Sequence, residues 1–297
     1  MICYVILHYQ NIEVTQECVE KLKRIIQKES KIVVIDNASP NGSGEKLLNY
    51  FASDGMVIVL KNKDNVGFAR GNNAGYQYAK NTFHPNIIVV MNSDVFIEQK
   101  NFEDLLSYYV TQKKYDLIAP DIISSNSVHQ NPLRKKPISN FGAFNLMITN
   151  EVKRFCFRSR VIYRLYLKYK KAMSNTKKNG GSDFALDTCV PHGACIIYAN
   201  KYLHDENFAF LPITFMYCEE DILYEYIKKK NYALSFCFDL QVNHLEDAST
   251  NASILDKKEK LLFIYKHQSQ SLRKLLQCRL FSFDKLLSRY TPYDIED

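Results

Sequence analysis

Residues Pro85 to Phe96 read PNIIVVMNSDVF, an apolar run that stops at a short polar signature. Ile87, Ile88, Val89, Val90 and Met91 are uninterrupted and mostly β-branched, with a proline just ahead. That is the pattern of a strand buried on both faces of a parallel sheet. Asn92, Ser93 and Asp94 follow at its C-terminal end. In open α/β sheets ligands bind at that end, and an oxygen-rich Asn-Ser-Asp suits a divalent cation carrying phosphates, because hard cations prefer carboxylate and carbonyl oxygens. The same three residues also suit a turn, since their side chains hydrogen-bond locally.

Upstream, the pattern repeats. Cys3 to Leu7 is a short apolar strand, followed by Val14, Cys18, Leu22, Ile25 and Ile26 at helical spacing, with Asn11 or Thr15 as the candidate N-cap. Ile32 to Ile35 is a second strand, ending in Asp36-Asn37 and a polar turn before a helix through Leu47, Leu48 and Phe51. Val57 to Leu60 is a third, and after it comes Asn65-Val-Gly-Phe-Ala-Arg-Gly-Asn-Asn-Ala-Gly75. Gly71 and Gly75 lie one helical turn apart, which suits a helix that approaches a sheet closely. A further helix follows Asp94, with Phe102, Leu105, Leu106 and Tyr109 on one face. Four alternations of strand and helix with short connections predict a doubly wound, mostly parallel α/β sheet. Asp36, Asn65 and Asp94 all follow strands, so they should gather along one edge, where a nucleotide could lie. Neither G-x-G-x-x-G nor G-x-x-x-x-G-K-[ST] occurs.

Beyond Leu117 to Pro120 the alternation fades, and Ser124 to Lys136 reads as a surface loop. Residues 151–180 carry ten Lys or Arg against one acid, Glu151, interleaved with Phe155, Phe157, Tyr163, Tyr166 and Tyr169, and end at Asn-Gly-Gly-Ser (179–182). This basic helical insertion suits either a solvated surface or an anionic membrane or acceptor. Nucleic acid is not expected, because no recognised binding signature accompanies the aromatics. From Thr188 the chain reads TCVPHGACIIYA, a strand interrupted at Pro191-His192-Gly193. Glu219, Glu220 and Asp221 stand directly ahead of a helical pattern at Ile222, Leu223, Tyr226 and Ile227. Acids in a first turn favour the helix dipole, but three exceed what capping needs. Ala233 to Phe238 is another strand, leading to His244, and the tail beyond Leu255 is helical and polar-to-basic. Its leucines at Leu272 to Leu276 could form a dimer contact or cover the sheet.

With 297 residues, 46% apolar and 24% charged, the composition is that of a soluble globular protein. Neither a transmembrane span nor a signal peptide is expected. The net charge of +7 is local: residues 151–180 sum to +9 and the remainder to −2. Eight cysteines without a C-x-x-C pair fit a reducing cytoplasm and argue against zinc.

In order along residues 1 to 250 the chain carries VVIDNASPNGS, NVGFARGNNAGY, MNSDV, PHGA, FMYCEEDIL and VNHLEDAS. Together these resemble the family 2 glycosyltransferases of GT-A fold, in particular the rhamnosyltransferase-like branch that builds bacterial surface polysaccharides. The resemblance implies a GT-A domain over 1–250, with a nucleotide-binding half (about 1–120), an acceptor-binding half (about 121–250) and a helical extension over 251–297. It implies that Asp36 holds the donor base, flanked by backbone at Leu7, His8 and Tyr9. Asn65, Gly67, Asn72 and Asn73 would face the nucleotide sugar. Asn92, Ser93 and Asp94 match the D-x-D-like element, with Asp94 on Mg²⁺ or Mn²⁺ and His244 completing the metal shell. His192, Gly193 and Ala194 would meet the acceptor. Within the acidic trio, alignment on Leu223 makes Glu220 the catalytic base, whereas a Glu-Asp order makes it Asp221; Glu219 supports either.

The implied function is an inverting, metal-dependent transfer of a sugar from a UDP- or dTDP-sugar to a saccharide acceptor, lipid-linked at the cytoplasmic membrane face. A sugar-1-phosphate nucleotidyltransferase would need a glycine-rich basic loop after the first strand, where HYQNIEVTQ has none. A non-catalytic partner docking through its basic insertion would have no use for an acid trio beside a metal signature.

Overall fold

The computed structural model describes residues 1–173, 186–245, 257–288 and 295–296. The first strand, β1 (Ile2–His8), is followed by α1 (Ile12–Ile25), and Asn11 is the N-cap, its side chain accepting from the Val14 amide at 3.3 Å. Next come β2 (Ser30–Asp36), α2 (Ser43–Phe51), β3 (Val57–Asn62), α3 (Phe68–Phe83), β4 (Ile87–Asn92), a two-residue β5 (Val95–Phe96) and α4 (Phe102–Thr111). After β6 (Leu117–Ser124), α5 (Asn140–Cys156) and α6 (Arg160–Met173), the chain returns through β7 (Cys195–Ala199), α7 (Asn200–Asp205), α8 (Glu219–Lys230) and β8 (Leu234–His244). It closes with α9 (Lys257–Leu280), α10 (Phe283–Leu287) and β9 (Ile295–Glu296).

One sheet runs β5-β8-β6-β7-β4-β1-β2-β3-β9. The β3-β2-β1-β4 half is parallel, as the alternation of strand and helix predicts. The other half is mixed. β7 enters antiparallel between β4 and β6, β8 runs parallel to β6, and β5 is antiparallel to β8. Register aligns the strand ends: His8 faces Asp36, Leu7 faces Asn92, and Val95 faces His244.

Strand side chains alternate between two apolar layers, because successive Cβ atoms point to opposite faces. Cys3 and Val5 point to the layer built by α3, α7, α8 and α9; Ile2, Tyr4 and Ile6 point to that built by α1, α2 and α4. Gly71 and Gly75 let α3 lie close to the sheet: a Cβ on Gly75 would stand 2.5 Å from Val5 Cγ1. Leu272 and Leu275 are fully buried, so this part of α9 covers the core rather than offering a dimer contact. None of the eight cysteines is in a disulfide, and all but the half-buried Cys156 are buried.

The basic region is a two-helix layer, α5 and α6, with α5 packed along α9. Its last residues, including the Asn-Gly-Gly-Ser of 179–182, and residues 246–249 of the VNHLEDAS motif lie outside the described residues. No described helix is long and apolar enough to cross a membrane.

Candidate active site at the sheet edge

The C-terminal ends of β1, β2 and β4 bring His8, Asp36 and Asn92 to one edge. Asp36 is buried, with both carboxylate oxygens accepting from the Ser39 amide at 3.2 and 3.3 Å, and burial raises its pKa. His8 is wholly buried, and both ring nitrogens are used inside the protein: Nδ1 meets Thr15 Oγ1 at 2.7 Å and Nε2 meets Ser43 Oγ at 2.8 Å. Burial holds its pKa down at about 4, so the ring is neutral and braces the starts of α1 and α2.

Beside Asp36, Asn37 organises the next loop. Its Oδ1 accepts from Asn62 Nδ2 at 3.0 Å and from the Val66 amide at 3.2 Å, while its Nδ2 donates to Asn65 Oδ1 at 3.0 Å. Asn65 Oδ1 also accepts from the Gly67 amide at 3.0 Å. Asn37 stood unassigned in the sequence; an Asp-Asn at a strand end was its only signal. Gly67 has φ +84°, and a Cβ there would stand 2.1 Å from the carbonyl oxygen of Phe215. The Phe68 amide donates to that same oxygen at 2.7 Å. The start of α3 is thereby joined to the segment ahead of the acidic trio.

Asn72 and Asn73 part company. Asn73 is structural: its Nδ2 donates to the Phe210 carbonyl at 2.6 Å, and its Oδ1 accepts from the amides of Ala209 and Phe210 at 2.9 and 3.0 Å. The Ala209–Phe210 backbone thus engages both ends of the Asn73 amide. Asn72 donates to the Phe68 carbonyl at 3.0 Å, and its buried Oδ1 has no partner among the described residues.

At the end of β4, Ser93 and Asp94 are buried. Pairing of β5 with β8 brings His244 to Asp94, with Nε2 3.4 Å from Oδ1. His244 Nδ1 meets Gln130 Oε1 at 2.8 Å, which fixes the ring with Nε2 towards the carboxylate. An imidazole nitrogen beside a carboxylate oxygen is the donor set of a divalent-cation site. Among the described residues no three His, Cys, Asp or Glu side chains converge on one point. A small hard cation is commonly held by one or two carboxylates plus substrate phosphates, so Asp94 with His244 fits one that arrives with a diphosphate.

His192 links this pair to the acids. Its ring lies edge-on to that of His244, centroids 5.8 Å apart, and Nδ1 accepts from the Ala194 amide at 3.1 Å. Burial holds its pKa at about 4, leaving it neutral. Asn131, in the loop after β6, fixes the turn by accepting from the His192 amide at 2.9 Å. The next residue, Gly193, lies under Glu220: a Cβ on it would stand 2.5 Å from Glu220 Oε1.

The acidic trio opens α8, and its members have different partners. Glu219 is buried and accepts from Thr214 Oγ1 at 3.1 Å. Asp221 is fully buried and paired with Arg134 Nη1 at 2.7 Å. Glu220 is half-buried and faces Gly193. Burial raises the pKa of all three, opposed at Asp221 first by Arg134, and Glu219 is pushed up to about 8. Arg134 lies in what the sequence shows only as a polar loop. Its backbone pairs with Val190, which brings the guanidinium to α8.

Residues 3–169 match the family model described as glycosyl transferase family 2. Glycosyltransferase GlyG of Streptococcus pneumoniae serotype 4 is 28% identical over 102 residues, 34% of this chain and 32% of that protein. The alignment thus spans about a third of the curated relative. Among solved structures, TarS 1–349 of S. aureus is similar with TM-score 0.50 and 14% identity, over 91% of this chain and 72% of that one. The same protein in complex with UDP-GlcNAc gives TM-score 0.51 at 15% identity, over 95% and 73%. The mannosyltransferase PcManGT from Pyrobaculum calidifontis, in complex with GDP-Man and Mn²⁺, gives 0.53 at 10%, over 98% and 81%. At such identities the structural likeness shows the fold, which is GT-A.

Proposed function

The chain belongs to glycosyl transferase family 2, and on that premise we propose that it moves a sugar from a nucleotide-diphosphate donor to a saccharide acceptor with inversion at the anomeric carbon. Residues 1–120 form the donor half in this reading and 121–250 the acceptor half. Asp36 binds the nucleoside, with backbone from Leu7 to Tyr9 beside it. Asn65, Gly67 and Asn72 line the sugar-diphosphate, with Asn92 at the end of β4 beside them, and Asp94 and His244 would hold Mg²⁺ or Mn²⁺. The observation that carries the reading is the His192-Gly193 turn, one residue of which touches the Asp94–His244 pair and the next Glu220.

Glu220 is the base. It is the half-buried acid of the three, whereas Arg134 holds the Asp221 carboxylate and Thr214 engages Glu219. Its burial-raised pKa suits proton abstraction. The Glu220 carboxylate takes the proton of an acceptor hydroxyl, the hydroxyl oxygen forms a bond to the anomeric carbon, and the bond from that carbon to the diphosphate oxygen breaks. When bound, the cation neutralises charge on the departing diphosphate. His192, neutral and held by Asn131 and Ala194, shapes the acceptor side.

The donor is a UDP- or dTDP-sugar, and the acceptor a lipid-linked saccharide at the cytoplasmic membrane face, as in the rhamnosyltransferase-like enzymes of surface polysaccharide synthesis. The test is release of nucleoside diphosphate from a panel of UDP-, dTDP- and GDP-sugars with Mn²⁺. One donor cleaved by the native chain and spared by Glu220→Gln is the expected result. Cleavage of none, by a chain that also binds no nucleotide, would refute the assignment.

A further inference from the structure

Helix α5 is apolar on two sides. Its inner side packs on α9: Ala143 is buried, Asn150 Nδ2 donates to Gln268 Oε1 at 3.2 Å, and Ser269 Oγ donates to the Met147 carbonyl at 3.4 Å. Phe141, Phe144, Ile148, Val152 and Phe155 recur three or four residues apart along α5, so they share one stripe, and all are exposed, Phe141 at 80% and Phe155 at 72%. A solvated helix carries polar residues there. Val161, Ile162 and Leu165 of α6 are exposed as well, and Phe157, between the helices, anchors the pair against Tyr265 of α9 with ring centroids 5.9 Å apart. Single exposed apolar residues are ordinary, but a row of them on one layer marks an interaction surface.

The charge around the row names the partner. Residues 140–173 hold eight Lys or Arg and one acid, Glu151, which is paired with Arg154 at 2.7 Å. Arg158, Arg160, Arg164 and Lys168 stand among the exposed apolar side chains of the junction and α6. Aromatic and aliphatic side chains set among cations suit the boundary between anionic headgroups and acyl chains. A second copy of this layer would bring like charges face to face. We propose that the outer face of α5 and α6 docks on an anionic lipid bilayer, its apolar stripe entering the headgroup boundary and its cations meeting lipid phosphates. This deepens the membrane-proximal reading above and rests on it, while the binding measured below needs no sugar transfer.

The test is co-sedimentation of the full chain with vesicles of phosphatidylcholine alone and of phosphatidylcholine with phosphatidylglycerol. Pelleting with the anionic vesicles only, reversed by salt, is expected. The triple variant Phe141→Ser, Phe144→Ser, Phe155→Ser and the charge variant Arg158→Glu, Arg164→Glu should each lower partitioning by roughly tenfold or more. Both sets lie at the surface, and unchanged UDP binding with an unchanged circular dichroism spectrum shows that the variants are folded. Pelleting that neither variant alters, equal pelleting on neutral vesicles, or no pelleting by a chain that light scattering shows to dimerise through Phe141 and Phe155 would each overturn the proposal. Loss of nucleotide-sugar cleavage with lipid binding intact would refute the transferase reading instead.

Discussion

Gly193 lies directly beneath the carboxyl of Glu220, so close that a single methyl group on its Cα would stand 2.5 Å from Oε1. The residue without a side chain thus sets where the acid sits. Gly193→Ala should push that carboxyl aside by about 1 Å, a displacement that costs on the order of 10²-fold in rate. The expected result is a fall in kcat with donor KM little changed and a near-native melting temperature. An unchanged kcat would detach Glu220 from the reacting centre.

Glu220→Gln and Asp221→Asn should separate base from scaffold. The first removes the proton acceptor and is expected to lower transfer by roughly 10²- to 10⁴-fold while donor binding survives. The second leaves Arg134 without its buried carboxylate. Because the arginine is about a third exposed, the loss should be about 2 kcal/mol, below the 3–5 of a fully buried pair. Urea denaturation and single-turnover rates on both variants check this, and a fast Glu220→Gln beside an inert, folded Asp221→Asn would reverse the roles.

Gly67→Ala meets two obstacles at once. Its φ of +84° with ψ near −178° lies in a region open to glycine almost alone, and the Phe215 carbonyl occupies the space of the new methyl group. Destabilisation by about 3 kcal/mol or more is expected, with donor affinity lost as the start of α3 parts from the Phe215 segment. Thermal melting and UDP titration read the two effects separately.

Glu219 gives the site a pH signature. Its pKa rises from 4.5 to about 8 in the folded chain, chiefly through burial. A raised acid pKa means that the native state retains a proton the unfolded chain has lost. The stability it confers is whole below pH 4.5 and falls as pH climbs through 8. Glu219→Gln keeps an oxygen for Thr214 and removes the proton linkage, so its stability should decline less between pH 5 and pH 8 than that of the native chain. Parallel curves would place the titration elsewhere.

Much of this was legible in the residues. Apolar runs ending in polar clusters disclosed β1 to β4 and the edge they share, because a strand buried on both faces leaves a local signal. Insertion of β7 between β4 and β6 did not show, since strand order depends on contacts between distant segments and not on local periodicity. Arg134 was hidden for the same reason: only a pairing with Val190 brings a polar loop to the acidic helix. Asn65, Asn72 and Asn73 look equivalent as letters, yet the Ala209–Phe210 backbone engages both ends of Asn73, whereas Asn72 Oδ1 has no partner among the described residues. Of the acids, Glu219 to Asp221 were visible together. Their roles separated only when Thr214, Gly193 and Arg134 were found opposite them.

A cation held at Asp94 is decided by calorimetric titration of UDP and of dTDP into the native chain and into Asp94→Ala, each with Mn²⁺ and with EDTA. One nucleotide is expected to bind in Mn²⁺, with the heat abolished by EDTA and by Asp94→Ala while the variant remains folded. Binding of equal strength in all four conditions would contradict a cation held at Asp94. No binding in any of them would contradict a nucleotide-sugar site at this sheet edge.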